Sequence, residues 1–228
     1  MTHFKFSPAA QSVGVRPVAA RRWVVGGVAS VAAIATLLAA LPAMAHHPFG
    51  GQAPQNMFEG LLSGIGHPVL GFDHFAFAIA VGLLAAVLRR GFTVPLAFLL
   101  AALVGTGLHL SELNLPAPEL VISASVFLFG ALVITRRELS TPAVVGLTAL
   151  VGMFHGYAYG EAVVGAEPTP LVAYLIGFTL VQGAIAGIVY LLSQRALDKE
   201  HSVGLISVHH AGFAILGAGA AFLGNLLV

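Results

Sequence analysis

No cysteine occurs anywhere in the 228 residues. That excludes disulfides, thiolate metal ligands and a cysteine nucleophile together. Charge is almost as scarce. Asp, Glu, Lys and Arg make up 8% of the chain and hydrophobic residues 58%, whereas soluble domains carry about a quarter charged residues. With a mean hydropathy of +0.94, this is the composition of a polytopic membrane protein. The formal net charge of +1 gives no basic field for a nucleic acid to bind. A Walker-type phosphate loop and the HExxH pair of zinc proteases are both missing, so neither ATP-driven transport nor that protease chemistry has its residues.

What the chain does contain begins with a targeting segment. Lys5, Arg16, Arg21 and Arg22 precede the apolar run "WVVGGVASVAAIATLLAAL", which Pro42 closes before the small-residue sequence Ala43–Ala45. This pattern predicts a signal peptide over residues 1–45, cleaved after Ala45. An uncleaved anchor is the alternative, because the run is longer than a usual signal core. Residues 46–228 then form a single unit, since no connection is long enough for a separate soluble domain.

Six apolar stretches in that unit are long enough to cross a hydrocarbon core of about 30 Å, at roughly 68–88, 92–112, 118–135, 142–162, 170–192 and 205–227. The fold class expected is all-α, a bundle of six transmembrane helices after the N-terminal signal segment. Beyond the leader the basic residues are Arg89, Arg90, Arg136, Arg137, Arg195 and Lys199, all in alternate loops. The positive-inside rule places those loops in the cytoplasm, and the mature N-terminus and the C-terminus outside. Glycine and alanine are plentiful within the spans, as in "GAIAG" (183–187), and small residues let membrane helices approach closely.

Against this apolar background the polar residues stand out. His67, Asp73 and His74 open the first span, His109 and Glu112 sit near the end of the second, and His155 and Glu161 lie in the fourth. The topology puts all of them toward the outer leaflet. His109 and Glu112, three residues apart, would share a helix face. Along a regular helix His67 and His74 would be about 10 Å apart, too far to hold one ion. Pro68 and Gly71 make a regular helix doubtful there, so either the segment is broken or the two histidines serve successive sites. Asp73 would then act as an acceptor orienting a histidine from another span. Intramembrane carboxylates are costly and mark pathways or proton relays. Imidazoles with carboxylates suit Ni(II), Co(II) or Zn(II). His46 and His47 at the mature N-terminus are candidates for metal capture outside, and His209 and His210 for an inner release site.

"HPVLGFDHFAFAIAVG" (67–82) resembles the HPxxGxDH motif of the HupE/UreJ family of bacterial membrane proteins, and "FHGYAYGE" (154–161) is similar to that family's second motif. The resemblance covers the mature chain. It implies secondary uptake of nickel or cobalt across the cytoplasmic (inner) membrane, with His67, Asp73, His74, His155 and Glu161 at the motifs' polar positions. Many members carry histidines where this chain has Tyr157 and Tyr159, which brings cobalt level with nickel. The resulting expectation is a transporter and not an enzyme, with no tightly bound cofactor and the divalent cation as cargo. Its partners are that cation and the lipid bilayer, a homo-oligomer being open to it and a nucleic acid not. The competing reading is a haem- or metal-binding membrane protein, either a b-type cytochrome or a membrane metalloenzyme.

Overall fold

The apolar runs end where the sequence supplies a start or a stop. The computed structural model describes residues 53–198 and 202–227. The leader, His46, His47, Lys199 and His201 lie outside them. Within the described residues the order is α1 (Met57–Leu70), α2 (Phe72–Val87), α3 (Thr93–Leu110), α4 (Pro118–Thr135), α5 (Thr141–Gly160), a 3-10 turn (Glu161–Val163), α6 (Pro168–Asp198) and α7 (Ser202–Asn225). The Asn56 side chain caps α1 by accepting the Glu59 N–H at 3.0 Å, and the Glu59 carboxylate reaches back to the Gln55 N–H at 2.8 Å. This reciprocal arrangement satisfies donors that a helix start leaves orphaned. Proline begins α4 and lies in the first turn of α5, where its missing N–H costs nothing.

Thr93–Leu110, Pro118–Thr135, Thr141–Val163, Pro168–Asp198 and Ile206–Asn225 are each long and apolar enough to cross a bilayer. They coincide with the last five expected spans. The first expected span, 68–88, needs correction. It begins earlier, at Met57, and consists of α1 and α2 bent by 76° at Gly71. Pro68 removes a donor from the last turn of α1, and Gly71 takes an extended ψ of 95°. The chain thus leaves the helix and restarts it one residue later. The described residues therefore hold six spans if the bent pair counts as one.

The loops rich in arginine gather at one end. Arg89 pairs with Asp198 at 3.1 Å, tying the end of α2 to the end of α6. Arg90 donates to the Leu139 carbonyl at 2.8 Å, tying it to the α4–α5 loop. At the opposite end Tyr157 donates to the Asn114 side chain at 3.3 Å.

Helix crossings are set by glycine and alanine, and the 183–187 segment takes part through buried Ala186, whose carbonyl a Cβ on Gly82 of α2 would strike at 2.5 Å. Within that segment, a Cβ on Gly183 or Gly187 would touch only the side chains of Leu99 and Phe92, at 3.3 and 3.6 Å. The tight crossing joins α3 and α5: a Cβ on Gly105 would collide with the Met153 carbonyl, and one on Gly156 with the Ala102 carbonyl. Gly60 and Gly64 bring α1 onto the backbone of α6 in the same way. Thr106 adds a hydrogen bond to the Gly156 carbonyl at 2.7 Å. Inside, Phe77, Phe98, Phe129 and Phe178 are wholly buried. Leu96, Leu100 and Val104 form an exposed stripe along α3, the face that lipid covers.

Candidate functional site

The 76° bend brings together what a straight helix would separate. With α1 folded back at Gly71, the His67 and His74 rings lie 5.6 Å apart, centre to centre. Successive sites on one regular helix are therefore ruled out in favour of a broken segment. Because α1 precedes them, both histidines sit at the middle of this segment rather than at its leading end. Gly71 cannot carry a side chain here: a Cβ would press on the His74 ring at 2.8 Å.

His74 opens α2, where Asp73 Oδ1 accepts the His74 N–H at 2.8 Å. The carboxylate meets the positive end of the helix dipole and one of its orphaned N–H groups. That is a local account of how a charge is tolerated within so apolar a segment. His155 comes from the last turns of α5. Its Nδ1 lies 2.9 Å from His74 Nδ1, its Nε2 lies 2.9 Å from Ser125 Oγ of α4, and its ring stacks on Phe77 at 4.0 Å. His67 Nδ1 lies 3.0 Å from Tyr174 Oη of α6. Tyr174 donates to the Tyr159 carbonyl at 2.9 Å. Tyr159 packs against both His67 and His74 and donates to Gln182 Oε1 at 3.0 Å. His67, His74 and His155 are exposed by only 2%, 2% and 0%, so the three imidazoles form a buried cluster held by five helices.

The remaining candidates lie apart from that cluster. His109 is half-buried against Tyr157 and Gly160, with its Nδ1 buried and lacking a hydrogen-bond partner. Glu112 does not share a helix face with it. α3 ends at Leu110, and Glu112 adopts the left-handed φ of 59°. The Glu112 N–H bonds to the His109 carbonyl and the Leu113 N–H to the Leu108 carbonyl, a Schellman closure that turns the glutamate outward. Glu161 begins the 3-10 turn and is exposed. Among the described residues no three of His, Cys, Asp and Glu are placed to hold one metal ion. The feature that stands out is the buried His67–His74 pair and its polar surround. Ser125, Tyr174 and Gln182 were not among the candidates read from sequence. The available signal was a polar residue deep within an apolar span.

A family model described as HupE / UreJ protein matches residues 34–222. Protein HupE of Rhizobium leguminosarum bv. viciae is 31% identical over 196 residues, which cover 83% of this chain and 96% of that protein. No solved structure matches significantly.

Proposed function

The chain belongs to the HupE / UreJ family, associated with nickel and cobalt transport, and on that premise we propose that it imports one of these cations through the bend between α1 and α2. Membership in a transporter family sets aside the enzyme reading. The carrying observation is the 76° break that brings the His67 and His74 rings to 5.6 Å, centre to centre, in a buried position. Broken helices commonly build binding sites near the membrane midplane, where unwound backbone and half-helix ends face the substrate. Imidazole nitrogen suits nickel and cobalt. Two such ligands leave the other coordination positions to water, which favours passage over permanent capture.

The driving force is the membrane potential. Two charges moving inward through about 100 mV gain about 4.6 kcal/mol, a gradient of over a thousandfold. The arginine end faces the cytoplasm of a bacterial inner membrane, and the C-terminus faces outward. His109, Glu112 and Glu161 mark an approach route on the outer side, to which His46 and His47, outside the described residues, would deliver the cation. The cation is cargo, and no resident cofactor is needed.

Uptake of radionickel and radiocobalt by intact cells, with and without an uncoupler, tests the reading. Accumulation above the vector control that collapses with the potential is expected. Equal accumulation in both strains for both metals would refute it. The orientation has its own test. A cysteine at Arg137 has no competing thiol in this chain, so an impermeant reagent should label it only after the cells are opened. Labelling from outside would reverse the topology.

A further inference from the structure

Three hydroxyl and imidazole contacts around the bend fix where the protons lie. Ser125 Oγ has one proton, which it donates to the Ile122 carbonyl at 2.7 Å. Its 2.9 Å contact with His155 Nε2 must therefore be donated by the histidine. A buried imidazolium costs several kcal/mol, so the ring is neutral and holds a single proton. His155 Nδ1 is then an acceptor, and the 2.9 Å contact between the two Nδ1 atoms is donated by His74. The other histidine gives the same result by a separate route. Tyr174 spends its phenolic proton on the Tyr159 carbonyl at 2.9 Å, so the 3.0 Å contact with His67 is donated by His67 Nδ1.

We infer that Ser125, His155 and Tyr174 are positioning residues that keep a proton on Nδ1 of His67 and His74, so that the neutral form of each is the Nδ1–H tautomer and binds the cation through Nε2. This rests on the reading that those two imidazoles take the cargo. It also changes the part played by His155. Both of its ring nitrogens are engaged, one with His74 and one with Ser125, and its ring is pinned against Phe77 at 4.0 Å and 15°. His155 is therefore not a ligand. It links a serine on α4 to a histidine on α2. Metal-bound histidines generally owe their ring orientation and tautomer to a partner on the other nitrogen, and here two of them are set before any metal arrives.

Nitrogen NMR of the metal-free, histidine-labelled full chain in lipid, in chelator, reads the tautomers directly. His67→Asn and His74→Asn assign the two signals. Both residues are expected as Nδ1–H, the opposite of the form imidazole prefers in water. Ser125→Ala removes the acceptor for His155 Nε2–H. His155 then moves its proton to Nδ1, and His74 switches to Nε2–H while His67 stays unchanged. Ser125→Thr restores the original signals, and Tyr174→Phe shifts His67 alone. Ser125→Ala and Tyr174→Phe should each raise the cobalt or nickel concentration for half-maximal uptake about tenfold. A wild-type His67 or His74 in the Nε2–H form, or a Ser125→Ala spectrum in which His74 is unmoved or both signals move together, overturns the inference whatever the uptake. Spectra that follow the expected pattern, with uptake indifferent to both variants, instead overturn the reading that these imidazoles take the cargo.

Discussion

Asp73→Asn is expected to cut initial nickel or cobalt uptake by about a hundredfold, the upper range for losing a residue that supports a metal ligand, with the protein still folded. The asparagine keeps an oxygen to accept the His74 N–H, so the start of α2 survives. What disappears is the negative charge at the bend. The dipole contribution to stability at such a helix end is about 1 kcal/mol or less, small beside the attraction a divalent cation loses in a low-dielectric site. His74→Ala should be at least as damaging, since it removes a ligand and leaves His155 Nδ1 without its partner. The measurement is initial uptake normalised to the amount of protein in the membrane, together with the melting temperature in detergent. If both variants accumulate both metals normally, the cation does not pass this bend.

The second large effect concerns the fold itself. Gly156→Val should destabilise the bundle by more than about 3 kcal/mol, beyond the usual range for overpacking. The obstruction is the Ala102 backbone on α3, which cannot rotate away as a side chain would. Because Gly156 is the immediate neighbour of His155, the crossing also sets the height at which that ring enters the cluster. Gly146→Ala supplies the control in the same helix. A Cβ there meets nothing within 4 Å, and the exchange should add stability by about 0.5–1 kcal/mol. Thermal unfolding of the two purified variants separates the cases. Similar melting temperatures would mean that the α3–α5 crossing does not depend on glycine.

The spans were legible because a bilayer demands long apolar helices and leaves few other solutions. Five of them could be placed from the runs between Arg, Pro and Asn alone. α1 was not, since "MFEGLLSGIGHPVL" mixes Glu59, Ser63 and Pro68 with its apolar residues and is only 14 residues long. The polar residues of the buried cluster were legible as types, but not as contacts. His74 meets His155 across 81 residues of chain and His67 meets Tyr174 across 107, and such approaches depend on packing that no local pattern encodes. Glu112 failed for a different reason. A left-handed closing position is expected of glycine, so nothing marked the glutamate as the residue where α3 turns away. Tyr159 stood out only as a departure from the family motif, yet it packs against both histidines of the bend and carries the carbonyl that binds Tyr174.

The shortness of α1 also has a consequence for the order of events during synthesis. Fourteen residues rise only about 21 Å, less than the roughly 30 Å of hydrocarbon a helix must cross. α1 packs chiefly on α6, with Gly60 against Pro170 and Gly64 against Tyr174. When the ribosome has finished α1, its main docking face has not yet been made, and four further helices must emerge before α6 does. His67 acquires the tyrosine that orients it only then. The bend is thus among the first parts of the bundle to be translated and among the last to be completed.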